Sequence, residues 1–100
     1  MTNSKPIGLF DSGIGGSSIW SAIHELMPNE DTIYLADSKN APYGKKSKEE
    51  IVALSEKNTE FLLNQNAKII VVACNTATTN AIKELRAKYD VPFIGIEPAI

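Results

Sequence analysis

Hydrophobic and polar positions follow two different periods along the chain. Four short runs are apolar almost throughout, which is typical of strands buried on both faces of a parallel sheet. These runs are residues 6–10, 32–36, 68–74 and 92–96.

Three longer stretches between these runs have apolar residues at helical spacing. The order β-α-β-α-β-α-β predicts an α/β fold: a doubly wound, flavodoxin-like parallel sheet of about four strands with three helices and right-handed crossovers. The three predicted apolar stripes are Ile19, Trp20, Ile23, Leu26 and Met27; Ile51, Leu54, Phe61 and Leu62, with the polar residues Ser55 and Asn58 also on this stripe; and Ala81, Ile82, Leu85 and Tyr89.

No linker rich in proline or glycine interrupts this pattern, so we expect one domain. The sequence stops at Ile100, just after the fourth strand, and leaves that apolar strand without a covering helix. Complete domains usually protect such an edge. A small domain with a partner and the first part of a longer protein both explain this, and we favour the second.

Composition narrows the classes of function. The 100 residues carry a formal net charge of −2, and the ten Lys and Arg residues are scattered, which argues against a nucleic-acid partner. The single cysteine cannot form an internal disulfide. The polar N-terminus has no signal-like apolar region and the longest apolar run is too short to span a bilayer. We therefore expect a cytoplasmic protein with no membrane partner.

Ligands of open parallel sheets bind beyond the carboxyl ends of the strands, which directs attention to the loops at residues 11–18, 37–46 and 74–79 and from Glu97 onward. The first loop contains three glycines and leads into a helix, but its G-x-G-G spacing lacks the dinucleotide fingerprint and the P-loop lysine. Asp11 would repel a phosphate and attract an ammonium group. A ligand-binding loop and a plain tight turn explain this segment equally well.

The second loop carries Tyr43 between Pro42 and Gly44. Such a rigid turn would present an aromatic hydroxyl or backbone amides to a ligand. A turn whose tyrosine packs on the surface is the alternative.

The third loop places Cys74 at the end of a buried strand and at the start of a helix. A helix N-terminus stabilises a thiolate, and Asn75, Thr76 and Thr78 supply groups that could hold a carboxylate. A lone cysteine is usually inert, but this position favours a reactive thiol. His24 lies about two turns into the first helix and is expected at the surface, so no Cys–His dyad forms, and no metal-ligand spacing is present.

Three segments together resemble the signature of the glutamate racemase family: residues 8–16 (GLFDSGIGG), 42–44 (PYG) and 73–77 (ACNTA). The resemblance implies racemisation of L- and D-glutamate without a cofactor or metal, by proton transfer at Cα between two cysteines. It also implies that the product supplies peptidoglycan synthesis and that the full-length protein is a homodimer. Residues 1–100 would be the first domain of a two-domain racemase.

The resemblance also assigns roles to individual residues. Cys74 matches the first catalytic cysteine, and Asp11 matches a position that contacts the substrate amine and assists that cysteine. The remaining matched substrate-binding positions are Ser12, Pro42, Tyr43, Gly44, Asn75 and Thr76.

Two features depart from the family pattern. Ser17 and Ser18 replace a Leu-Thr pair, and no second cysteine occurs before Ile100. We therefore expect the 100-residue chain alone to be inactive. A non-catalytic amino-acid-binding or assembly module and a one-cysteine lyase or decarboxylase of the same fold are the alternatives.

Overall fold

The computed structural model describes residues 5–13 and 16–96. Four parallel strands form one sheet in the order β2-β1-β3-β4. The strands are β1 (Ile7–Asp11), β2 (Thr32–Ala36), β3 (Ile69–Val72) and β4 (Phe93–Gly95). Three α-helices connect them: α1 (Gly16–Leu26), α2 (Lys48–Asn64) and α3 (Asn75–Lys88). Two short 3-10 helices, Ser38–Asn40 and Tyr43–Lys45, lie between β2 and α2.

The central strand β1 pairs with a neighbour on each side. Phe10 lies opposite Leu35 of β2 and Val72 of β3, and every residue of β1 is buried. A strand that is hydrogen-bonded on both edges and covered on both faces requires the continuous apolar run seen in the sequence.

Helices cover both faces of the sheet. On one face, α1 packs Ile19 and Ile23 against a cluster that contains Leu9 and Val71. On the other face, α2 and α3 enclose a larger cluster that includes Phe10, Ile70 and Val72. The predicted doubly wound parallel α/β fold is confirmed.

A capping box fixes the start of α2. Ser47 Oγ accepts a hydrogen bond from the Glu50 backbone N–H at 3.2 Å, and Glu50 Oε1 accepts one from the Ser47 N–H at 3.1 Å. These bonds satisfy N–H groups that would otherwise have no partner. They also fix where the chain leaves the turn at Tyr43–Lys45 and enters the helix.

Three residues of the predicted apolar stripes are exposed instead: Leu26 (81%), Met27 (41%) and Phe61 (47%). On α2, the buried face includes the small polar residues Ser55 and Thr59 together with Leu62. Phe61, about 100° around the helix from Leu62, therefore turns outward. The prediction was right to place Ser55 on this stripe, and it was wrong for Phe61 because it did not place Thr59 on the buried face.

An apolar groove of about 430 Å³ runs along the α1 face of the sheet. It is lined by side chains that include Ile23, Met27, Val71 and Ile94. The exposed residues Leu26 and Met27 both line this groove at the end of α1. None of the helices within residues 5–13 and 16–96 is long and apolar enough to cross a membrane.

Candidate functional site

The carboxyl ends of β1, β2 and β3 lie side by side. The Ala73 N–H donates to the Phe10 carbonyl at 2.8 Å, and the Asp37 N–H donates to the Asp11 carbonyl at 3.1 Å. The strand order reverses at β1, where the chain turns to β2 on one side and later returns to β3 on the other. Crevices at such switch points are where open α/β sheets bind ligands.

The structure brings together three of the four loops that the sequence indicated. Residues 14 and 15 of the first loop, and the fourth loop from Glu97 onward, lie outside the described residues.

Asp11 is the last residue of β1 and its side chain is fully buried. Oδ1 accepts a hydrogen bond from the Gly13 N–H at 2.7 Å, and Oδ2 accepts one from the Tyr34 hydroxyl at 2.7 Å. Both partners are donors, so the carboxylate is fixed by two bonds of the charge-assisted type.

Tyr34 on β2 is a residue that the sequence interpretation missed. Burial, the hydrogen bond to Asp11 and the negative charge of Asp11 together raise the pKa of its hydroxyl to about 12. The phenol is therefore a proton donor to Asp11 across the neutral pH range.

Gly13 joins the first loop to the second. Its φ is +92°, and a Cβ placed there would lie 2.7 Å from the Ser38 Cα. Only glycine adopts this conformation readily and permits the contact. The close approach that Gly13 allows is thus to the protein's own second loop, while the adjacent Ser12 is buried beside it.

Cys74 is the N-cap residue of α3, and it is 7% exposed. Its Sγ accepts a long hydrogen bond from the Ala77 N–H at 3.5 Å, and its carbonyl accepts one from the Thr78 N–H at 2.9 Å. The thiol thus lies against the N–H groups of a helix start, where a thiolate is stabilised.

The first turn of α3 presents only some of the polar groups that the sequence indicated. Asn75 is exposed and Thr76 is half-buried, so both remain accessible to a ligand. Thr78 is buried and its hydroxyl donates to the Val72 carbonyl at 3.2 Å. Thr78 was therefore a wrong candidate, because its proton already stabilises the end of β3.

Tyr43 points into the protein and is 1% exposed. Its hydroxyl donates to Asp37 and accepts a hydrogen bond from Asn58 Nδ2 at 2.9 Å. The hydroxyl is thus not offered to a ligand, and the tyrosine does not pack on the surface. Pro42, which follows a cis peptide bond, and Gly44 are exposed, so the backbone of this turn remains the part that a ligand can reach.

Asp37 is the acceptor at the centre of this second network. Burial acts to raise the pKa of its carboxyl, but hydrogen bonds from Tyr43, Asn40 and Asn58 and the nearby charge of Lys57 outweigh burial and lower it. Asp37 is therefore ionised at neutral pH. In turn, burial, the bond to Asp37 and the charges of Asp37 and Cys74 raise the pKa of Tyr43.

The strand ends therefore carry a thiol at a helix start, a fixed carboxylate and an exposed turn backbone. Within the described residues, no group of three His, Cys, Asp or Glu side chains is placed to hold a metal ion. The arrangement suits a small zwitterion, with an anion site at the helix start and a carboxylate for an ammonium group.

Comparison with known proteins gives the family. A sequence model described as Asp/Glu/hydantoin racemase matches residues 15–100. The chain is 56% identical over 98 residues to the glutamate racemase of Clostridium botulinum (strain Kyoto / Type A2), which is 98% of this chain and 38% of that protein.

Solved structures agree. Escherichia coli glutamate racemase in complex with L-glutamate and the activator UDP-MurNAc-Ala has a TM-score of 0.88 at 40% identity, over 96% of this chain and 37% of that one. Francisella tularensis glutamate racemase in complex with D-glutamate has a TM-score of 0.85 at 39% identity, and the match covers 92% of this chain and 35% of that one. The chain thus spans less than two fifths of the length of these relatives. It belongs to the Asp/Glu/hydantoin racemase family.

Proposed function

We propose that the full-length protein is a glutamate racemase, which interconverts L- and D-glutamate by moving a proton at Cα. The observation that carries this proposal is the position of Cys74, capping α3 beside the end of β1 that holds Asp11. The E. coli and F. tularensis relatives hold L- and D-glutamate respectively, which supports the choice of substrate.

The chemistry requires a strong local base. The α-proton of an amino acid is a very weak acid, so its removal needs a thiolate in a site that stabilises the carbanion. The thiolate of Cys74 takes the proton from one face of Cα, and a second cysteine on the opposite face returns one. One C–H bond breaks and another forms, so neither an oxidant nor a cofactor is consumed.

The surrounding residues bind and orient the substrate. We assign the substrate ammonium to the Asp11 carboxylate, which is buried in the absence of substrate and has lone pairs beyond the two that its donors occupy, with help from Ser12. The polar groups of Asn75 and Thr76 in the first turn of α3 hold a carboxylate. The backbone of Pro42, Tyr43 and Gly44 forms another wall of the site, beside α3.

The chain described here carries half of this mechanism. In this proposal the second cysteine lies outside residues 1–100, and residues 1–100 form the first domain of a two-domain enzyme. The apolar groove that the described residues leave open along α1 supports this, because apolar surface of this kind is usually buried against another part of the protein. The 100-residue chain alone is therefore inactive.

The resemblance to glutamate racemases extends the proposal to the setting of the enzyme. We infer a cytoplasmic homodimer that supplies D-glutamate for peptidoglycan and so supports cell-wall formation and cell shape.

Deuterium exchange at Cα of glutamate tests the assignment. In the full-length protein, we expect Cys74→Ser to abolish solvent exchange from one enantiomer, because only one of the two bases is lost. Thr79→Ala serves as a matched control, since Thr79 is an exposed residue of α3 five positions after Cys74. Undiminished exchange from both enantiomers in Cys74→Ser would contradict the role of Cys74.

Isothermal titration with glutamate separates the alternatives. A wild-type full-length protein that binds glutamate but exchanges no deuterium would be an amino-acid-binding module. Release of carbon dioxide or ammonia during turnover would identify a decarboxylase or a lyase.

A further inference from the structure

Asn58 lies on the inward face of α2 and is 6% exposed. Its Nδ2 donates to the Tyr43 hydroxyl at 2.9 Å and lies 3.4 Å from Asp37 Oδ2. A phenol has one proton to give, and Tyr43 gives it to Asp37. The Tyr43 hydroxyl oxygen also accepts a hydrogen bond from the Asn58 amide. The hydroxyl thus has both a donor and an acceptor as partners, and the ring is held in one orientation.

This anchoring reaches the candidate site through the backbone. The 3-10 helix Tyr43–Lys45 lies against α3, and Tyr43 belongs to the same buried cluster as Cys74. With the ring held inward, residues 42 and 44 on either side of it remain exposed at the strand ends.

Two neighbours of Asn58 on α2 differ from it in their hydrogen bonding. Ser55 and Thr59 are fully buried on the same helix face, and their hydroxyls have no hydrogen-bond partner in the described part of the chain. The helix face thus tolerates unpaired polar groups. A residue that merely filled space there would not need two directed contacts to one phenol–carboxylate pair.

We propose that Asn58 is a positioning residue that fixes the substrate-binding turn at residues 42–44 by locking the Tyr43 hydroxyl onto Asp37. Asn58 does not touch the substrate. The inference rests on the proposed function and adds a residue from α2, outside the strand-end loops, to the machinery of the site.

The test uses the full-length enzyme with Asn58→Leu, Tyr43→Phe and the double variant. A displaced turn weakens the binding of the ground state and the transition state alike, so we expect each single variant to raise KM for glutamate about tenfold and to keep kcat within about twofold. The double variant should match either single one, because both changes remove the same anchor.

Thr59→Val is the matched control, because it alters a buried neighbour on the same face of α2 and removes a hydroxyl without a partner. Its KM should stay at the wild-type value. A fall in kcat with unchanged KM in Asn58→Leu, as expected when part of the enzyme is misfolded, would overturn the positioning role. Multiplicative effects in the double variant would also overturn it.

A second readout does not depend on racemisation. The rate at which iodoacetamide alkylates Cys74, followed by mass spectrometry of the peptide that contains it, should increase severalfold and equally in Asn58→Leu and Tyr43→Phe. If the wild type fails to racemise glutamate but this increase occurs, the proposed function fails and the positioning role stands. If alkylation is as slow as in Thr59→Val, the positioning role fails.

Discussion

The Tyr34 hydroxyl donates a hydrogen bond to Asp11 Oδ2 at 2.7 Å and so connects the edge strand β2 to the last residue of β1. Tyr34 lies opposite Leu9, two residues before Asp11, so the two side chains are diagonal neighbours on one face of the sheet. With the Gly13 N–H on Oδ1, the carboxylate has one donor on each oxygen. Its orientation is thus set before any ligand arrives.

Removal of the Tyr34 hydroxyl should therefore destabilise the protein and impair the site. In Tyr34→Phe, Asp11 keeps the Gly13 bond but loses its second donor, and we expect the free energy of unfolding to fall by about 1.5 kcal/mol. We also expect lower kcat, because the carboxylate is free to rotate. Urea unfolding and racemisation assays of the full-length protein measure the two effects.

Tyr89→Phe provides the control for this substitution. The Tyr89 hydroxyl donates to Glu60, whose side chain is exposed to solvent, so its loss should change stability little. Equal losses of stability in the two variants would show that the bond to Asp11 has no special contribution.

The same hydrogen bond predicts a dependence on alkaline pH. The pKa of Tyr34 is raised from 10.0 to about 12 in the folded protein, so folding favours the protonated phenol. The contribution of the Tyr34 hydroxyl to the free energy of unfolding is fully present below the pKa of 10.0 that the group has in the unfolded chain. It is lost as the pH rises toward 12. The stability gap between wild type and Tyr34→Phe should narrow between about pH 9 and about pH 11.5. A constant gap in urea midpoints over this range would contradict the prediction.

The fold was predictable because continuous apolar runs such as that of β1 suit only strands covered on both sides. The observed strands lie within the predicted runs to within one or two residues. Exposure at Leu26 and Phe61 was not predictable from periodicity. The exposure of Leu26 depends on the packing around the groove beside α1. The exposure of Phe61 depends on which polar residues α2 buries.

The site was predictable only in part. Ligands of open parallel sheets bind beyond the carboxyl ends of the strands, and this rule selects Cys74 and Asp11 from the sequence pattern alone. Asn58, however, is bonded to a residue 21 positions earlier, and Tyr34 reaches Asp11 across 23 positions. Their roles follow from the packing of α2 and the register of β2, which a single sequence does not encode in a local pattern.

Asp11→Asn should separate charge from hydrogen bonding. The amide oxygen can accept from Gly13, and the amide nitrogen can donate to Tyr34 once its hydroxyl turns to accept. We therefore expect a modest change in stability but a large loss of kcat, because the negative charge proposed to bind the substrate ammonium is gone. Asp11→Ala leaves two donors without acceptors and should cost an additional few kcal/mol of stability, about 1–3 per donor. Unchanged turnover in Asp11→Asn would count against the assigned role.

An added methyl group should reduce the stability of the protein at one glycine of the site and leave it unchanged at another. Gly13→Ala forces a positive φ on alanine and places its Cβ 2.7 Å from the Ser38 backbone, so unfolding should become easier by about 2 kcal/mol or more. A Cβ at Gly44 meets no atom within 4 Å, so Gly44→Ala should leave the urea midpoint unchanged.

If the turn at residues 42–44 contacts glutamate as proposed, the same methyl group enters the substrate's space and raises KM. A Gly44→Ala enzyme with unaltered KM would place the substrate away from this turn, whereas a loss of stability equal to that of Gly13→Ala would contradict the open surroundings of Gly44.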